Sequence, residues 1–143
     1  MNKASWTTGF AGLAVVSLGL ITAIFAASHP THSAFINVET ALSKATTPLV
    51  HESNISNTGL AGSPNNDTIN FAFSVKNAVT EPQANAIIDA YLNSARALDS
   101  KNHQFITPYR LKVEVYAGNL DGKLLFVGAK PPETMKIVWS RKS

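Results

Sequence analysis

The chain has 143 residues, a formal net charge of +3 and no cysteine. The missing cysteine excludes disulfides, thiolate metal sites, a cysteine nucleophile and a lipidated N-terminal cysteine. The length allows one small domain with appendages, and charged residues, at 15%, fall below the ~25% usual for soluble domains.

Residues 1–9 contain Lys3 and Trp6 and precede an apolar run. From Phe10 to Ala27 no residue is charged, and only Ser17 and Thr22 are polar. At ~1.5 Å per residue the run spans about 27 Å, close to a ~30 Å hydrocarbon core. Lys3 and the amino terminus lie before it, and the next basic residue is Lys44. That asymmetry predicts a single membrane span with residues 1–9 cytoplasmic and the rest extracytoplasmic. A signal peptide cleaved after Ala26-Ala27-Ser28, with small residues at −3 and −1, competes with an uncleaved signal anchor. An exported domain without disulfides fits a bacterial surface protein.

Residues 28–68 contain Pro30, Pro48 and Pro64 and many Ser, Thr and Asn. The stretch SNISNTGLAGSPNNDT has no apolar period, so a flexible tether is expected over 28–68. Within it, Ala34–Ala45 can form a short helix with Phe35, Val38 and Leu42 on one side.

From Ile69 onward the chain reads as the folded domain, 69–143. INFAFSVK alternates, with Ile69, Phe71, Phe73 and Val75 inward. The clearest element follows: TEPQANAIIDAYLNSARAL, with Ala84, Ile87, Ile88, Tyr91, Leu92, Ala95 and Leu98 on one helical stripe. Thr80 and Gln83 make a capping box, Glu81 complements the helix dipole, and Pro82 costs no hydrogen bond in the first turn. YRLKVEVYA alternates again; GNLDG predicts a hairpin turn; KLLFVGA and ETMKIVWSR supply two further strands. The expected architecture is α+β, in the order β-α-β-β-β, with one helix on a mostly antiparallel sheet. The expected core also includes Leu111, Val113, Val115, Phe126, Ile137 and Trp139. The segment VEVYAGNLDGKLLFV resembles the hairpin of PepSY modules, which implies a fold and no activity. The order also resembles the cystatin-like fold, but the turn Ala117-Gly118-Asn119-Leu120 lacks the Gln-x-Val-x-Gly of the inhibitors.

No motif for a catalytic nucleophile, a phosphate-binding loop or a zinc protease is present, so no catalytic, cofactor-binding or metal residue is expected. His29 and His32 are interrupted by Pro30, and no two acids share a strand face as a glycosidase pair would. The domain from Ile69 carries ten Lys and Arg against six Asp and Glu, hence +4. Arg110, Lys112 and Lys136 fall at outward strand positions, with Lys76 nearby. They are the candidate surface for an anionic partner such as lipid headgroups or wall polymer. Tyr116 is the only aromatic on that face, too little for base stacking, so nucleic acid is not expected. Ala86, Ala90 and Ala97 form a second candidate, a small-residue strip that could admit a partner helix. Together these features predict a membrane-anchored, non-catalytic interaction module; a small exported hydrolase with a site assembled across strands is the alternative.

Overall fold

The computed structural model of the chain describes residues 30–141. Residues 32–143 form one compact unit. The expected membrane segment, 10–27, and the residues before it lie outside the described residues. Among those described, no helix is long and apolar enough to cross a membrane.

The unit is α+β with two helices and five strands. Its elements are α1 (His32–Val50), β1 (Ile55–Ser63), β2 (Thr68–Val75), α2 (Glu81–Leu98), β3 (Arg110–Ala117), β4 (Leu124–Lys130) and β5 (Val138–Arg141). The strands lie in the order β1-β2-β3-β4-β5. β1–β2, β3–β4 and β4–β5 are antiparallel. β2 and β3 are parallel, with Phe71 opposite Val113 and Phe73 opposite Val115. A parallel neighbour needs a crossover, and α2 supplies it.

The sequence expectation of a tether over 28–68 is corrected here. Residues 32–63 form α1 and β1, so the order is α-β-β-α-β-β-β rather than β-α-β-β-β. α1 extends the short helix expected at 34–45. It buries Phe35, Val38, Ala41, Leu42, Ala45 and Leu49, a stripe at helical spacing. β1 has the sequence ISNTGLAGS, with few of the branched or aromatic residues that favour strands. It forms because β2 offers it a regular partner, and because Pro64-Asn65-Asn66-Asp67 makes the turn between them. The turn is one round of 3-10 helix ending at Asp67 in the left-handed region, φ 48°, a conformation Asp tolerates well. The Pro and Asn residues that suggested a tether are the turn of a hairpin. Gly62 lets α1 lie close on β1, since a Cβ there would collide with Phe35 and Glu39.

α2 follows the sequence reading closely. Thr80 Oγ1 accepts from the Gln83 backbone N–H at 3.3 Å, and Gln83 Oε1 accepts from the Thr80 N–H at 2.8 Å. Ala84, Ile88, Tyr91, Leu92 and Ala95 are buried. Tyr91 ties the layers together: its ring stacks on Phe71 at 4.2 Å and its hydroxyl donates to the Leu42 carbonyl of α1 at 2.7 Å. Burial raises the Tyr91 pKa well above the usual phenol range.

Two details of the expected core differ. Leu98 is 57% exposed; it is in phase with the stripe but ends the helix beyond the surface it packs on. The link after α2 instead turns inward, and Phe105 and Ile106 are fully buried. Asn102 Oδ1 accepts the Phe105 N–H at 3.0 Å and holds that turn. Phe35 meets Tyr109 edge-on at 5.3 Å, joining α1 to the end of the link. The last strand is also shorter than expected: Glu133–Ile137 is irregular and only Val138–Arg141 pairs with β4.

The core therefore lies between the sheet and the two helices, lined by Ile69, Phe71, Phe73, Val75, Leu111, Val113 and Val115 from the strands. The alternate residues of β2 and β3, such as Asn70, Ala72, Lys112 and Glu114, face the other side, which no described helix covers.

Candidate functional site

Alternation along β3 sends Arg110, Lys112, Glu114 and Tyr116 to the open face. Arg110 and Lys112 are brought together there, both exposed. Lys112 does not act alone. Its Nζ lies 2.9 Å from Glu114 Oε2, and the Tyr116 hydroxyl donates to Glu114 Oε1 at 2.9 Å. The hydrogen bond from Lys112 does most to hold the Glu114 carboxyl below the usual range; burial opposes it, and the Tyr116 hydroxyl adds a smaller lowering. The hydrogen bond to Glu114 raises the Tyr116 pKa in turn. The three residues form a short polar ladder that half-neutralises the basic patch.

Beside the ladder the open face is shallow. Gly59 and Ala61 of β1 and Asn70 and Ala72 of β2 carry small side chains, and with Lys112 and Glu114 they line a groove of about 410 Å³. One end is closed by the β3–β4 turn. Ser56 Oγ donates to the Gly118 carbonyl at 2.5 Å and meets Ser74 Oγ at 3.1 Å, and Ser74 is fully buried. Gly122 is required in that turn, where a Cβ would run into the Ala117 carbonyl.

Lys136, the third candidate, is placed elsewhere. It lies in the link before β5 and lines a groove with Glu81, Asn85, Asp89 and Trp139. Its surroundings are acidic, so it does not extend the patch made by Arg110 and Lys112. Asn85 is engaged at both ends there: its Oδ1 accepts from Trp139 Nε1 at 2.9 Å and its Nδ2 donates to Asp89 at 3.1 Å. Of the alanine strip, Ala86 and Ala90 line a groove of about 310 Å³ between the helices, with Ala45, Leu49 and Tyr91. Ala97 is not among its lining residues.

Sequence reading missed Lys130. It is fully buried, and its Nζ donates to the carbonyls of Thr107, Tyr109, Pro131 and Thr134 at 3.3, 2.7, 3.1 and 2.9 Å. The signal was in the alternation, since Phe126, Gly128 and Lys130 share one side of β4. An ammonium so enclosed is a clasp between two links and no accessible nucleophile. Burial pushes its pKa down to about 8, with Glu133 acting weakly the other way.

A pH dependence follows from the clasp. The unfolded chain keeps Lys130 protonated up to about 10.5, so between pH 8 and 10 the unfolded state binds more protons and stability rises with pH. Above pH 10 the sign reverses. Tyr91 and Tyr109 are held neutral in the fold, Tyr109 up to about 12, while unfolded tyrosines ionise. Urea unfolding should thus give a maximum near pH 10. Lys130→Met should lose the rise from pH 8 and cost about 2–3 kcal/mol at pH 7, because the Tyr109 and Thr134 carbonyls lose the ammonium, while Thr107 keeps the Glu133 N–H at 2.8 Å and Pro131 the Thr134 hydroxyl at 3.4 Å. An unchanged profile in Lys130→Met would show that the clasp does not titrate.

Among the described residues no group of His, Asp and Glu is arranged to hold a metal ion. Comparison of the chain with protein-family models, with curated proteins and with solved structures finds no match.

Proposed function

We propose that the protein is a membrane-anchored, extracytoplasmic interaction module, and that its open sheet face meets the partner. One observation carries the second part. Both helices pack on one side of the sheet, and the other side presents a shallow groove of small residues rimmed by Arg110, Lys112 and Glu114. A groove of this kind accepts a surface rather than enclosing a small substrate. The anchor reading rests on the uncharged run from Phe10 to Ala27 and the charges around it. Residues 28–31 separate that run from α1 in sequence. An anionic surface is the partner the charges favour, although the Lys112–Glu114 pair makes the attraction weak.

The fragment 30–143 is therefore expected to co-sediment weakly with vesicles in proportion to their anionic lipid content. Basic residues near such a surface contribute about 1 kcal/mol each, so Arg110→Glu with Lys112→Glu should abolish the binding. Added salt should do the same. Binding that survives the double reversal would remove the open face from the contact.

A further inference from the structure

The chain holds few sulfurs: no cysteine and two methionines, Met1 and Met135. Met135 lies in the irregular segment between β4 and β5 and is 42% exposed. Two hydrogen-bond donors reach its Sδ. The Thr107 hydroxyl is 3.2 Å away, and Arg96 Nη2, from the last turn of α2, is 3.8 Å away. A thioether is a weak acceptor. Arg96 has no better one. Lys112–Glu114 is the single ion pair among the described residues, and the Arg96 guanidinium makes no other hydrogen bond among them. A permanently charged donor is thus directed at an oxidisable sulfur, with most of its hydrogen-bonding capacity unused.

The two donors differ in how far they can move. Thr107 is pinned through its carbonyl, which takes the Glu133 N–H at 2.8 Å and the Lys130 ammonium at 3.3 Å. An oxygen added to the sulfur on that side would have to fit inside 3.2 Å, where its hydrogen bond to the hydroxyl alone needs ~2.7 Å. Arg96 is exposed, ends a long side chain and starts farther off. On its side the sulfur can gain an oxygen and keep its donor.

We propose that Met135 is a site of reversible oxidation by hydrogen peroxide, and that the oxygen enters on the side of Arg96, where it turns a weak contact into a charge-assisted hydrogen bond. A lone pair of the sulfur attacks one peroxide oxygen. The S–O bond forms as the O–O bond breaks, and the proton of the transferred oxygen leaves with the departing hydroxide as water. The sulfur is oxidised by two electrons and the peroxide reduced by two, giving the sulfoxide. Its polarised oxygen is a far stronger acceptor for a guanidinium than the thioether was. The effect is to fasten the segment 131–137, which carries the buried Ile137 and leads into β5, to the end of α2. Sulfoxide formation ordinarily loosens a protein, because it makes an apolar side chain polar. At this site it should tighten one.

The full chain in detergent can be treated with dilute hydrogen peroxide and its Met135 peptide weighed after digestion. That peptide should gain one oxygen. Scored with the two stereospecific methionine sulfoxide reductases, one epimer should exceed the other about fivefold, whereas chain oxidised in urea should yield the two equally. Oxidation should raise the thermal transition of the folded chain by about 3 °C. Arg96→Ala, at an exposed helical position, should still fold and should lose both the bias and the rise. Met135→Leu should show no rise with peroxide. Equal epimers from the folded chain, or a transition that stays level or falls on oxidation, would overturn the proposal. So would a bias and a rise that persist in Arg96→Ala, or a rise that persists in Met135→Leu.

Discussion

A fragment beginning at Ile69 should fail to fold, whereas one beginning at Pro30 should fold. Removing residues 30–68 takes away α1 and β1, and with them the buried side chains of Phe35, Val38, Leu42, Leu49 and Ile55. At ~1.5–3 kcal/mol for each such side chain, the loss is about 10 kcal/mol. That is comparable to the entire ~5–15 kcal/mol stability of an ordinary domain. The truncation also exposes Tyr91 and Phe71 and strips the Tyr91 hydroxyl of its acceptor on Leu42. The fragment 69–143 should therefore show a collapsed amide spectrum with poor chemical-shift dispersion, or aggregate, while 30–143 gives a dispersed spectrum and a cooperative thermal transition. A well-folded 69–143 would mean that α1 and β1 are accessories to a smaller core.

The second large effect is expected at Ile88. It is 1% exposed in the middle of α2, and Ile88→Asp would lose its burial and place an unpaired carboxylate under the helix. The lost burial is worth ~2–3 kcal/mol and the uncompensated charge several more. Together they exceed about 5 kcal/mol, enough to unfold most molecules of 30–143 at neutral pH. Asn93→Asp is the control. Asn93 is exposed on the opposite side of the same helix, and its substitution should change stability by no more than ~0.5 kcal/mol. Urea titration of both variants, followed by far-ultraviolet circular dichroism, measures the contrast. Equal losses at the two positions would mean that the helix is rotated from the phase described.

The elements that were legible in the sequence carry their own local instructions. α2 has a complete capping box and an unbroken stripe, and β2 and β3 alternate through four inward residues each. β1 has no such signal. Its Gly, Ala, Ser and Asn residues give a strand only because β2 lies alongside, and that is a property of the tertiary structure. α1 was partly visible, through Phe35, Val38 and Leu42. Its neighbouring Thr46, Thr47 and Pro48 are poor helix residues and hid the final turn. Phe105 and Ile106 have no period to read, because the link that buries them is held by single hydrogen bonds rather than by a repeat. The candidate surface was legible to the same extent. Arg110 and Lys112 face outward as alternation requires, and Glu114, two residues on and on the same side, was already placed to neutralise Lys112. Lys136 was misassigned because Pro131 and Pro132 end β4 and the following residues do not resume a strand until Val138.

The parallel pairing of β2 with β3 also governs the order in which the sheet can assemble. The β1–β2 hairpin closes over residues 64–67 and the β3–β4 hairpin over 118–123. Joining the two requires closing the stretch from 76 to 109, which is 34 residues long. Loop-closure entropy grows as (3/2)RT ln n, so this step costs about 2 kcal/mol more than closing a four-residue turn. Each hairpin can thus form from near neighbours, and their docking waits for α2 to bring the halves together. The capping box at Thr80 stands at the start of that helix, so its two hydrogen bonds favour the element that shortens this search.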